Sequence, residues 1–137
     1  MTDEENYFEH DADIGIIGRG ETVEACFVNA AKSMFSLMAN LSQIHSQQTI
    51  TFEFEEEDLE LAFVTWLNQL IARAQEHNLI LSDFHLKQEG KYWQGTASGE
   101  KWNENIERGI EVKGATLTML SVKKRDHQWE ARCVVDV

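Results

Sequence analysis

The sequence contains no proline, and it has no repeat, low-complexity tract or linker to divide its 137 residues. That length suits one domain, residues 1–137, and is enough to bury an apolar core without covalent staples. Cysteine is scarce too. Cys26 and Cys133 both lie in patterned segments, which argues against a disulfide framework and fits a reducing, cytoplasmic setting. Paired Cys and His spacings of the zinc kind are missing. No run approaches the roughly 18 apolar residues of a membrane span, so no membrane partner is expected. The opening MTDEENYF is acidic and lacks the basic-then-apolar order of a signal peptide, so the mature chain is expected to start near Met1. Positive charge is the last shortage. Twelve Lys and Arg stand against 24 Asp and Glu, a net charge of −12. Strong direct nucleic-acid binding is not expected of such a chain, because it needs basic groups to displace counterions. A basic partner or a bound cation fits better.

What is present concentrates in FEHDADIGIIGRG, residues 8–20. Glu9, His10, Asp11 and Asp13 crowd within five residues, and such groups repel one another unless a cation or well-aimed donors lie nearby. At the other end Asp136 precedes Val137, so a side-chain carboxylate sits one residue from a terminal carboxylate. The two acidic ends are expected to meet around a metal cation. Oxygen-only donors suit hard ions: calcium, magnesium or manganese.

Tyr7, Phe8, Ile14, Ile16 and Ile17 favour strand over residues 6–18, with a break near His10 to Ala12 that keeps three acids off one face. Gly18, Arg19 and Gly20 then read as a turn. Residues 22–40 read as a helix, capped by Thr22, with Glu24 in its first turn. QQTITFEF, residues 47–54, alternates as a half-buried strand. Residues 58–77 form the strongest helix, with Leu59, Phe63, Trp66, Leu67, Leu70, Ile71 and Ala74 on its apolar face and Asn78 at its end. The acidic run Glu55 to Asp58 reads as a solvated helix start. A hairpin is expected from 79–87 and 91–99 across Gly90, a loop over 102–109, and an antiparallel pair from 110–122 and 128–136. In the last strand Trp129, Ala131, Cys133 and Val135 should face one way, and Arg132, Val134 and Asp136 the other. The expected fold class is α+β: a mostly antiparallel or mixed sheet with two main helices packed on one side.

Other chemistries are weaker. Cys26 and Cys133 read as small buried thiols rather than nucleophiles. Gly15, Gly18 and Gly20 spell GxxGxG without a Walker lysine, so tight turning is the better account than phosphate binding. His45, His77, His85 and His127 lack a carboxylate-rich neighbourhood in the sequence and read as surface or packing residues. His10 adjoins Asp11 and Asp13, yet a satisfied core histidine is the commoner reading. A metal-dependent hydrolase using Asp11 and Asp13 would need a second acid–base group, and the sequence names none.

FEHDADIG before a helix, DLELAFVTWLNQLI, GIEVKGATLTML and a terminal VVDV together resemble the archease family, over nearly the whole chain and in the family's motif order. The resemblance implies an α+β domain that is not an enzyme. It implies a protein cofactor that activates the GTP-dependent RNA-splicing ligase, helping it become guanylylated and turn over repeatedly. It further implies a divalent cation, calcium foremost with magnesium or manganese as alternatives, bound by Asp13, Asp136 and the Val137 carboxylate. Asp11 and His10 are possible members of that shell. Lys113 matches a family lysine needed for activation, and so is expected at the partner contact. Asp11 replaces the family's threonine, and Leu117 and Thr118 replace its common aromatic and histidine after the matching Thr116. A second implied role is a chaperone-like module for RNA-modifying enzymes such as tRNA methyltransferases.

Overall fold

The structure, a computed structural model, describes residues 5–137. The first four residues of the acidic opening lie outside the described residues. Strands β1 (Tyr7–His10) and β2 (Asp13–Gly20) form a hairpin whose turn is Asp11 and Ala12, the position where a break was expected. Asp11 takes φ 52°, a left-handed conformation that aspartate tolerates better than most residues.

Helix α1 (Val23–Ser36) starts at Thr22, whose side chain accepts from the Ala25 amide at 3.0 Å. It ends four residues short of the expected Asn40. Asn40 instead opens a short 3₁₀ turn, Leu41–Gln43, by accepting the Ser42 amide. After β3 (Gln48–Glu55), helix α2 (Leu59–His77) is capped by Asp58, which accepts the Leu61 amide at 3.0 Å. Asn78 closes α2 at φ 55°, as its place in the sequence predicts. Strands β4 (Leu79–Glu89) and β5 (Tyr92–Lys101) form the long hairpin, turning at Gly90 with φ +60°. The last elements are β6 (Gly114–Ala115), β7 (Ser121–Arg125) and β8 (Gln128–Asp136).

The α+β class is as expected, and every strand pairing is antiparallel. The strands divide into two sheets. One runs β1-β2-β8-β6, with β7 also on β8; the other runs β3-β5-β4. Each helix contacts strands of both sheets, so the core is continuous. At its centre Phe27 of α1 stacks on Trp93 of β5 with centroids 5.5 Å apart, and the Trp66 indole N–H donates to the Phe27 carbonyl at 2.9 Å. That bond satisfies the one polar atom of a fully buried tryptophan.

Two expectations are corrected. Gly18, Arg19 and Gly20 are not a turn, because β2 runs through them and pairs Gly18 with Ala131 and Gly20 with Trp129. Glycine is used at 18 and 20 because α1 crosses there. A Cβ at Gly18 would overlap the α1 backbone at Cys26 and Ala30, and one at Gly20 would sit 2.7 Å from the Cys26 nitrogen. Residues 110–122 are not one strand either. Only 114–115 and 121–122 of that span are strand, and Met119 at φ 56° interrupts the extended path between them.

Candidate metal centre

Strand β8 lies between β2 on one side and β6 and β7 on the other. Its alternation is the expected one: Ala131, Cys133 and Val135 are buried in the core. Ile14 of β2 pairs with Val135 of β8, so one step further in the same register puts Asp13 opposite Asp136. Residues opposite each other in an antiparallel pair share a face, and like charges there are destabilising. Asp13 and Asp136 therefore adjoin on the face turned away from the core, at one end of the sheet. The Val137 amide donates to Asp13 Oδ1 at 3.4 Å, which ties the first acidic motif to the last residue across 124 positions.

The third side of the site is β6. Gly114 pairs with Asp136, and the Lys113 amide donates to the Asp136 carbonyl at 2.7 Å. Lys113, exposed, thus leaves the chain beside the two aspartates. Thr116 continues the edge, with its amide and its hydroxyl both donating to the Val134 carbonyl, at 3.0 and 2.7 Å. His10 pairs with Asp13 in the hairpin, so its backbone belongs to the site's margin, and its ring nitrogen lies 3.7 Å from Asp11. The Asp11 side chain is 91% exposed at the hairpin tip.

The donor chemistry fits a hard cation. Asp13 and Asp136 would supply side-chain carboxylates and Val137 a main-chain one, three anionic oxygen groups on adjacent strand ends. Among the described residues no group of three or more His, Cys, Asp or Glu side chains is placed to hold a metal. The fit therefore needs the Val137 carboxylate as its third donor, because the side chains contribute two. Cysteine plays no part. Burial pushes the thiols of Cys26 and Cys133 up to about 12, so both stay protonated and neither is a nucleophile nor a thiolate ligand at neutral pH.

Further along the same outer face, the Arg132 guanidinium lies 5.1 Å from the Phe8 ring centroid, and Arg19 pairs with Glu130 at 3.3 Å. A separate groove of about 410 Å³, lined among others by Phe35, Met38, Ile71, Trp102 and Val112, includes neither aspartate. His45 is a correction: its amide and ring both reach the nearly buried Glu100 carboxylate, at 2.6 and 3.0 Å across 55 positions. Sequence proximity could not reveal that neighbour. The edge formed by residues 113–116 was also invisible as such, since its pairing is with β8 and its supports are single side chains.

The Archease protein family matches residues 6–137. The chain belongs to the archease family. The archease of Pyrococcus furiosus is 35% identical over 137 residues, covering 96% of each chain, and that of Methanosarcina mazei is 32% identical, covering 96% of this chain and 94% of the other. The solution structure of Methanobacterium thermoautotrophicum protein 1598 superposes with a TM-score of 0.87 at 30% identity, covering 96% of this chain and 97% of that one. A Thermotoga maritima archease described as a possible chaperone shares the fold, with a TM-score of 0.68 at 20% identity over the full length of both chains. The archease fold is thus the frame in which Asp13, Asp136, Val137 and Lys113 come together. No helix among the described residues is long and apolar enough to cross a membrane.

Proposed function

We propose that this chain is a non-catalytic, cytoplasmic activator of a GTP-dependent RNA-splicing ligase, promoting the ligase's guanylylation and repeated turnover. A divalent cation, calcium foremost, would be held by Asp13, Asp136 and the Val137 carboxylate. The observation that carries this reading is the meeting of Asp13 with Asp136 and Val137 across β2 and β8, with Lys113 fixed to the same step by its 2.7 Å amide bond. Calcium takes about six to eight oxygen ligands, more than three carboxylates supply unless all bind through both oxygens. The remaining positions would then be open to water or to a partner group, and an open cation beside an exposed lysine suits recognition of an anionic site on another protein. Bound there, the cation would neutralise the carboxylate repulsion and hold both strand ends rigid. The residues' own part is to bind and orient, since no activated nucleophile accompanies them.

The test is a guanylylation assay of the cognate ligase with and without this protein. Asp13→Ala should lose activation while its circular dichroism spectrum and melting temperature stay near those of the parent. Full activation by that variant sinks the proposal. Capture of an RNA-modifying enzyme such as a tRNA methyltransferase, with no effect on guanylylation, would favour the chaperone-like role instead.

A further inference from the structure

Helix α2 carries Asn68 in the run Trp66-Leu67-Asn68-Gln69-Leu70, and asparagine is a poor residue for a helix interior. Its side chain bonds outside its own helix. The Ala115 amide donates to Asn68 Oδ1 at 2.8 Å, and Asn68 Nδ2 donates to the Ala115 carbonyl at 3.1 Å. A carboxamide carries an acceptor and donors in one plane, so it can take both polar groups of a single residue, as a neighbouring strand would. Such a neighbour is what β6 lacks. It is two residues long and pairs with β8 on one side, where the Lys113 and Thr116 amides also point. The N–H and C=O of Ala115 go to α2 instead.

We propose that Asn68 is the positioning residue of the acidic site. It stands in for a missing edge strand and holds residues 113–115 against Asp136. The fully packed face of α2, with Trp66, Leu67 and Leu70 at 0% exposure, is the rigid body from which it acts. Sheet register alone would leave two residues to fix the lysine and one aspartate, and a two-residue pairing is easily frayed. With the amide clamp, backbone groups of 115 are bonded on the α2 side while 113 and 116 are bonded on the β8 side. The role of this clamp in cation binding rests on the metal reading above; its role in ordering residues 113–115 does not.

The test uses the full chain, with Asn68→Ala as the main variant because alanine keeps the helix favourable. Three quantities are read: amide hydrogen exchange, Mn²⁺ affinity and melting temperature. Exchange at Ala115 and Lys113 should quicken about tenfold or more, while amides of β4 and β5 keep their rates. Mn²⁺ affinity should fall about 10- to 100-fold, the usual effect of removing a group that orients a ligand. Asn68→Asp, which keeps the acceptor for the Ala115 amide, should leave that amide slower to exchange than Asn68→Ala does. Unchanged exchange at Ala115 and Lys113 in Asn68→Ala overturns the proposal. Faster exchange with parental Mn²⁺ affinity overturns its link to the site. If the parent chain takes up no Mn²⁺, the metal reading fails by itself, and the exchange rates still decide for or against positioning.

Discussion

In the three-stranded sheet, β3, β5 and β4 are eight, ten and eleven residues long and pair along nearly their whole length. On the far side of the molecule's core, β6 pairs with β8 through two residues. The first arrangement is held by long ladders and by aromatic stacks such as Phe54 on Trp93, with centroids 5.9 Å apart. The second is held by single groups: the Asn68 amide, the Thr116 hydroxyl and the Lys113 amide. The difference teaches where a small domain can place a site. Redundant packing stabilises the long sheet, so no one polar contact decides its shape. At the short edge each contact decides the place of a charged group, and those groups are free to meet a partner.

The contrast can be broken most violently from the packed side. Trp66→Ala removes a fully buried indole and its bond to Phe27, and should cost about 3–5 kcal/mol in a denaturant melt. Loss of under 1 kcal/mol would mean that the core is far less integrated than its packing implies. On the edge side, Thr116→Val keeps the shape but removes one hydroxyl donor, while the backbone amide still serves Val134. About 1 kcal/mol is expected, read from the same melt. Met119→Gly should be neutral to stabilising by up to about 1 kcal/mol, because the left-handed conformation that burdens methionine is open to glycine. A clear loss there would show that the methionine side chain supports the edge.

The smallest effect concerns Glu100. The His45 amide lowers its pKa below the usual value of 4.5, with the His45 ring and Asn103 helping against the opposing effect of burial. A carboxylate whose folded pKa is depressed stabilises the fold above its unfolded pKa, and that contribution is lost as pH falls through the folded value. Stability should therefore decline below about pH 4.5, and Glu100→Gln should flatten that decline in melts taken across pH 3–6. An identical acid limb in the variant would show that the contact with His45 contributes nothing.

Long elements were readable because each repeats one signal many times. The apolar stripe of α2 recurs from Leu59 to Ala74, and Asp58 and Asn78 mark its ends chemically. β8 was legible by alternation, and the β1–β2 break by the cost of three acids on one face. GATLTML misled because threonine, leucine and glycine there satisfy strand propensity, while the interruption at Met119 depends on how the edge is hung from β8. GRG misled in the opposite sense. Glycine signals a turn by default, yet Gly18 and Gly20 make room for a crossing helix. The acids of the candidate site were visible as residues. Asn68, which bonds the strand beside them, was hidden inside an apolar helix, and the one hint was a polar residue between two leucine-bearing turns.

Because β8 pairs with β2, β6 and β7 at once, the larger sheet cannot close until residues 128–136 have emerged from the ribosome. Up to that moment β2 must wait with a vacant edge through the synthesis of more than a hundred residues, a long loop to close and a slow kind of pairing. A chain broken off before this strand would lose the partner of every other strand in that sheet except β1, and would be left as an aggregation hazard rather than a weakened version of the whole.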